Sequence, residues 1–186
     1  MIIIGITGTP GAGKGTVVDY LVNNFGFKHY SARAFIQEEM KRRGLPDNRD
    51  SMHFVGNSLR AEFGPSSTAE KLYDQAIAGG GQGAVIESLR NPQEIIALRA
   101  KSKSFFMLAV DAAPKTRYER ILKRRSSSDN VSFEKFSEVE QSEMNDPDPA
   151  GMRIAECIQM SDKIIRNDGD ITELQTQIDT LMKEIL

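Results

Sequence analysis

A glycine-rich segment with a single lysine is the part of the sequence best suited to chemistry. It spans Gly8–Thr16, reads GTPGAGKGT, and contains the spacing G-x-x-x-x-G-K. Glycines allow a backbone to curl until several N–H groups point into one anion-sized hollow. A helix that follows such a loop adds the partial positive charge of its N-terminus, and the lysine adds a point charge. The segment therefore predicts a phosphate-binding loop, the P-loop.

The residues on either side of this loop supply the context that the motif requires. A continuous β-branched run, Met1–Thr7, precedes it, and apolar residues at helical spacing follow it between Val17 and Phe25. A dinucleotide site would need G-x-G-x-x-G and an acidic residue after the second strand, but Phe27–Ala32 has none. A regulatory GTPase would need a guanine-reading Asn-Lys-x-Asp, which the sequence lacks. Its Asp-x-x-Gly, at Asp148–Gly151, stands in a proline-rich turn.

The nine residues of the loop resemble the G-x-P-G-x-G-K-G-T signature of adenylate kinases and related nucleoside monophosphate kinases. The residue after Lys14 is Gly15, and the hydroxyl follows one place later at Thr16. In that family Mg²⁺ is held mainly by phosphates and water, so the resemblance implies ATP and Mg²⁺ with any metal contact of Thr16 or Glu87 made mainly through water. The ATP-binding residues that it implies are Gly8, Pro10, Gly11, Ala12, Gly13, Lys14, Gly15, Thr16 and Asn167.

The same resemblance places an acceptor beside the loop. In the family, a Ser or Thr and then an arginine follow the second strand, where Ser31 and Arg33 stand here. The third strand of the family ends in Asp-Gly-x-x-Arg, and the corresponding segment Ile86–Arg90 has Glu87 and Arg90 with Ser-Leu between them. Arg60, beside a leucine, is a further candidate. A helix N-cap, a strand-end cap, surface ion pairs and a solvated helix arginine remain open as structural explanations.

Basic residues after the fourth predicted strand occupy the place where the family has a lid. Lid arginines close over the transferring phosphoryl group, where negative charge develops in the transition state. Arg120, Arg124 and Arg125 are the candidates, together with Lys14 and Arg90 as catalytic residues. Asn167-Asp168-Gly169 resembles the loop that lies near the adenine, although an Asp-Gly turn explains it equally well. The two histidines, His29 and His53, lack metal-ligand spacing and are interpreted as structural.

Short apolar runs that alternate with amphipathic stretches predict an α/β chain with a parallel sheet. The strands are expected at Met1–Thr7, Phe27–Ser31, Ala84–Ser88, Ser104–Asp111 and Asp162–Arg166. The resemblance implies a three-layer α/β/α fold, strand order 2-3-1-4-5, an acceptor-binding insertion and a lid. We expect one domain, with its core at residues 1–31, 79–120 and 150–186, the helical insertion at 32–78 and the lid-like insertion at 121–149.

Composition restricts the class of protein. The formal net charge is −2, so no global field draws the chain to nucleic acid or to anionic lipid. A single cysteine, Cys157, is expected in the core, and no apolar run reaches the ~18 residues of a membrane span. We expect a cytoplasmic monomer or weak homodimer with small-molecule nucleotide substrates, bound to neither nucleic acid nor membrane.

The resulting functional expectation is an ATP-dependent phosphotransferase that acts on a nucleoside monophosphate or a similar phosphate acceptor. Two alternatives stay open at the level of sequence. One is a dephospho-CoA kinase-like activity, and the other is a nucleotide-binding regulatory protein without transfer activity.

Overall fold

The computed structural model describes residues 1–124 and 132–186, with Arg124 described by its backbone. Five parallel strands form one sheet in the order β2-β3-β1-β4-β5. They are β1 (Ile2–Gly8), β2 (Lys28–Ser31), β3 (Gly83–Glu87), β4 (Phe105–Asp111) and β5 (Lys163–Arg166). All five predicted strands are confirmed to within two residues at either end, and the predicted order is confirmed as well.

Helices cover both faces of the sheet. Within the described residues they are α1 (Lys14–Phe25), α2 (Ala32–Arg42), α3 (Arg49–Phe63), α4 (Ser67–Gly79), α5 (Pro92–Lys101), α6 (Pro114–Arg124), α7 (Phe133–Met144), α8 (Ile154–Gln159) and α9 (Ile171–Ile185). None of the helices in residues 1–124 and 132–186 is both long and apolar enough to cross a membrane.

The central strand β1 carries core residues on both faces, because successive side chains of a strand point to opposite sides. Ile4 and Ile6 join a buried cluster with residues of α1 and α9, such as Leu21 and Ile178. Ile3 joins a second cluster with α4, α5 and α8, which includes the buried Cys157. The apolar run at the N-terminus is therefore covered on both sides, as the sequence predicts for a central parallel strand.

The C-terminal helix α9 also follows the sequence. Its N-cap is Asp170, whose carboxylate accepts the N–H of Glu173 at 2.9 Å. Such a cap satisfies one of the N–H groups that a helix leaves unpaired at its start. The buried residues Leu174, Ile178 and Leu181 then lie on the face that packs against the sheet. The helix is part of the scaffold.

Gly8 ends β1 at a position that tolerates no side chain. Its φ is 137°, and a Cβ built there would lie 2.0 Å from the carbonyl oxygen of Val110, its partner in β4. We expect Gly8→Ala to lower the free energy of unfolding by about 2–5 kcal/mol, because backbone strain and overpacking add at this site. Chemical denaturation would measure the change.

Gly15→Ala is the matched control for that substitution. Gly15 lies in the first turn of α1, and a Cβ there would meet nothing within 4 Å. Alanine favours a helix over glycine by about 0.5–1 kcal/mol, so this variant should keep or slightly raise stability. Equal losses in the two variants would contradict the steric explanation.

Candidate active site

The glycine loop joins the end of the central strand β1 to the first turn of α1. It curls through Gly11 and Gly13, which have φ values of 81° and 99°. The Lys14 ammonium group donates to the carbonyl oxygens of Gly8 at 2.9 Å and Thr9 at 3.0 Å. The charge is thus held at the first two residues of the loop. This geometry is that of a phosphate-binding P-loop.

The loop that follows β5 supports the P-loop from one side. Asn167 is buried, and its side-chain amide donates to the carbonyl of Ala12 at 2.8 Å. A Cβ on Gly13 would lie 2.2 Å from the same amide nitrogen, so glycine is needed for this close approach. Arg120 donates to the backbone carbonyl of Asn167 at 2.8 Å. The structure therefore brings Asn167 to the P-loop and Arg120 to Asn167, and both are predicted site residues.

Arg124 and Arg125, the other two predicted lid arginines, cannot be placed in the same way. Arg125 lies outside the described residues, and so does the side chain of Arg124. Both stay predictions of the sequence. The lid-like segment 121–149 begins inside α6, which continues to Arg124, and it contains the whole of α7.

Glu87 lies at the carboxyl end of β3, opposite Ile6 of β1 in the sheet register. One of its oxygens contacts the His29 ring nitrogen Nε2 at 2.9 Å. Burial by itself would raise the pKa of Glu87, but the hydrogen bond with His29 and the positive charges of His29, Lys14 and Arg90 outweigh it. The net effect lowers the pKa of the carboxyl group. Glu87 is therefore an ionised carboxylate beside the P-loop.

Ser88, the residue after Glu87, adopts a left-handed backbone with φ of 73°. Residues other than glycine rarely adopt this conformation, which recurs at functional sites. It is held in place because the N–H groups of Ser88 and Leu89 both donate to the carbonyl of Ile6, at 3.1 and 3.0 Å. Thr7 adds a side-chain bond to the carbonyl of Leu89 at 2.7 Å. The turn after β3 is thus bound tightly to the strand that carries the P-loop.

The oxygen ligands near the P-loop fit a magnesium ion that is held mostly by phosphate and water. Residues 1–124 and 132–186 contain no group of three or more His, Cys, Asp or Glu that could hold a metal by themselves. Thr16 is exposed on the first turn of α1, and Glu87 is ionised. A carboxylate at the end of a strand beside the P-loop can accept hydrogen bonds from metal-bound water.

A cavity of about 650 Å³ lies on the other side of the P-loop. Pro10 of the P-loop forms part of its wall, and helices α2, α3 and α7 form much of the rest. Arg33, Arg60 and Arg90 line this cavity. Three of the five predicted acceptor residues therefore share one concave surface that reaches the P-loop.

The remaining two acceptor residues are placed differently. Ser31 is the N-cap of α2 and accepts the N–H of Ala34 at 3.2 Å, which matches the structural explanation that the sequence leaves open. Glu87 contacts His29 and is not among the residues that line the cavity. Arg60 lines the cavity but is largely buried. Its guanidinium donates to the carbonyl of Ala150 and to the side chain of Asn57.

Arg90 is oriented by the start of α5. The buried Glu94 accepts the backbone N–H groups of Arg90 and Asn91, at 2.7 and 2.9 Å. Asn91 in turn donates to the carbonyls of Pro149 and Gly151, both at 2.8 Å. These bonds connect the β3–α5 turn to the segment after α7, so the backbone that carries Arg90 is firmly positioned.

Sequence reasoning missed several polar residues of the cavity. Arg49 and His53 line it from α3, and Glu143 lines it from α7. The sequence did contain a sign of the residues on α3, a helical spacing that places four residues on one face. These are Arg49, His53, Gly56 and Arg60, and all four line the cavity. The interpretation of the two histidines as structural is incomplete, since His29 contacts Glu87 and His53 lies 3.5 Å from Glu143.

The fold and the site can be compared with known proteins. The family model described as an AAA domain matches residues 7–136 of the chain. The UPF0200 protein of Pyrococcus furiosus is 30% identical over 187 residues, which cover 98% of this chain and 97% of that protein.

Solved structures share the fold at lower identity. The crystal structure of TT1252 from Thermus thermophilus superposes with a TM-score of 0.65 at 18% identity, covering 100% of this chain and 98% of that one. Shikimate kinase from Bacteroides thetaiotaomicron gives 0.60 at 13% identity, covering 98% and 97%. Such low identity shows the fold alone. From the family model and the relative, the chain is a member of the AAA domain family and one of the UPF0200 proteins.

Proposed function

We propose that this protein is an ATP-dependent phosphotransferase whose acceptor is a nucleoside monophosphate or a similar phosphate-bearing molecule. The observation that carries the proposal is that the P-loop forms part of the wall of the cavity. Pro10 belongs to the P-loop and also lines the cavity that holds Arg33, Arg60 and Arg90. A donor phosphate on the loop and an anionic acceptor in the cavity would therefore meet at this wall, as direct transfer requires.

On the donor side, the P-loop amides and the N-terminus of α1 would bind the ATP phosphates. Lys14 would leave the carbonyls of Gly8 and Thr9 to contact the β- and γ-phosphates. Mg²⁺ would neutralise phosphate charge and be oriented through water by Glu87. Asn167, which is bonded to Ala12 and to Arg120, would position the loop on the adenine side.

On the acceptor side, the cavity would hold the phosphate-bearing end of the substrate near its arginines. Residues 32–78, which contribute α2 and α3, would act as the acceptor-binding part of the domain. Residues 121–149 would act as the lid and bring further cations as they close. Exclusion of water on closure suppresses the wasteful hydrolysis of ATP.

An ADP-release assay with ATP and Mg²⁺ tests this function. The acceptors would be all ribo- and deoxynucleoside monophosphates, dephospho-CoA, and shikimate as an acceptor without phosphate. We expect acceptor-dependent release of ADP with at least one of the nucleoside monophosphates, above the rate with ATP alone. Intact ATP binding without any acceptor-dependent turnover would overturn the proposal and favour a nucleotide-binding regulatory protein. Turnover with dephospho-CoA alone would identify the dephospho-CoA kinase-like alternative.

A further inference from the structure

A buried carboxylate stands among two arginines and a histidine at the wall of the cavity. Glu143 of α7 accepts a hydrogen bond from Arg49 at 2.6 Å, and His53 lies 3.5 Å from the same oxygen, Oε1. Its other oxygen, Oε2, is buried and has no hydrogen-bond partner within the described part of the chain. The guanidinium of Arg90 lies 3.8 Å from Oε2. Residues from two separate segments, α3 and the β3–α5 turn, thus converge on the carboxylate of α7.

Burial differs sharply between the carboxylate and the three basic side chains. The Glu143 side chain is 2% exposed, whereas those of Arg49, His53 and Arg90 are 42%, 35% and 34% exposed. All four residues line the cavity. The acid therefore lies behind the basic side chains, which keep surface that an anion in the cavity can reach.

Glu143 is ionised despite its burial. Burial by itself would raise its pKa, but the hydrogen bond with His53, the charge of Arg90, and the charge and hydrogen bond of Arg49 lower the pKa to about 2. Two arginines around one carboxylate leave the cluster with a net positive charge. That excess charge suits an anionic ligand on the open side.

We propose that Arg49, His53 and Arg90 form a subsite for the acceptor's phosphate, and that Glu143 is the positioning residue that holds these side chains in place. The inference rests on the proposed phosphoryl transfer and names residues that recognise its acceptor. The bare Oε2 faces Arg90, so a small shift of Arg90 toward it would turn the 3.8 Å ion pair into a hydrogen bond. Glu143 and the bound phosphate would then hold Arg90 from opposite sides.

The neighbouring Glu140 offers a matched control. It lies one turn earlier on α7 and also lines the cavity, but the buried Arg117 occupies both of its carboxylate oxygens. Arg117 also packs over the ring of Phe136, 5.7 Å from its centroid. This pair joins α6 to α7, so its loss should affect stability and leave acceptor recognition unchanged.

The test compares Glu143→Gln, Glu143→Asp and Glu140→Gln with the unmodified protein. The acceptor KM, the ATP KM and kcat would be measured with the best acceptor, together with the thermal midpoint. Calorimetry without ATP would measure how tightly each protein binds the best nucleoside monophosphate acceptor. AMP would be used if no nucleoside monophosphate is turned over. Glu143→Gln keeps the shape and an oxygen for Arg49, but it removes the charge that holds the cations.

We expect Glu143→Gln to raise the acceptor KM and Kd by about tenfold or more, with less than about a twofold change in the ATP KM. Glu143→Asp should recover part of the loss, and Glu140→Gln should bind the acceptor as the unmodified protein does. An unchanged acceptor KM with a lower thermal midpoint would overturn the proposal and make Glu143 structural. Tighter acceptor binding in Glu143→Gln would also overturn it, because Glu143 would then compete with the phosphate.

The calorimetric measurement separates this inference from the proposed function. Absence of turnover with every acceptor would overturn the proposed phosphotransferase activity. Weaker nucleotide binding in Glu143→Gln alone would still support the subsite, and equal binding in all four proteins would overturn it.

Discussion

Lys14→Ala is expected to lower kcat by about 100-fold or more at saturating ATP and acceptor. In the structure the Lys14 ammonium is bonded to the carbonyls of Gly8 and Thr9 within the P-loop. It is thus placed to contact a transferring phosphoryl group, whose charge is stabilised by fixed cations in a site that excludes water. Initial rates with the acceptor found in the ADP-release assay would measure the loss.

Lys28→Ala is a suitable control for the substitution of Lys14. Lys28 is exposed at the start of β2, and its ammonium donates to the carbonyl of Gly79 at 2.7 Å, away from the P-loop. This variant should keep kcat. Unchanged turnover in Lys14→Ala, with folding verified by circular dichroism, would show that Lys14 does not act on the transferred phosphate.

Arg90→Ala should mainly weaken the acceptor side, raising the acceptor KM by about 10- to 100-fold. Arg90 lines the cavity, and Glu94 holds its backbone through the N–H of Arg90 itself. The P-loop has no hydrogen bond from Arg90 among the described residues, so ATP affinity should change little. Arg90→Lys should give an intermediate KM, because an ammonium keeps the charge but loses the bidentate geometry.

Arg99→Ala provides the matched control for Arg90. Arg99 lies later on α5, where it pairs with Asp162 at 2.8 Å on the surface, and it does not line the cavity. Steady-state kinetics with each substrate varied in turn would separate the two affinities. An effect of Arg90→Ala confined to ATP would contradict its assignment to the acceptor.

The fold was largely predictable because its signals are local. The strands β1, β3 and β4 are short apolar runs, and α1 and α9 show a helical period, so no long-range information was needed to find them. The P-loop is equally local, since glycines, lysine and flanking elements are contiguous from Ile2 to Phe25. The N-cap at Asp170 follows from adjacent residues as well.

The polar partners around the cavity were not predictable in the same way. Arg49 and Glu143 are 94 residues apart, and His29 and Glu87 are 58 apart. No periodicity or motif connects such pairs. The left-handed backbone of Ser88 was not predictable from its neighbours in sequence either, because it is imposed by bonds to Ile6 of the adjacent strand. The family pattern has a glycine at this place, after its carboxylate.

The sequence by itself therefore determined a parallel α/β domain with a phosphate loop at the end of its first strand. Chain connectivity, β-branched runs and glycines at fixed spacing carry that information locally. Tertiary structure alone decided that Arg49, His53 and Glu143 share a cavity with the predicted arginines, and that Asn167 meets the P-loop at the carbonyl of Ala12. The physical reason is that the energy of a buried charge depends on partners that only folding brings within a few ångströms.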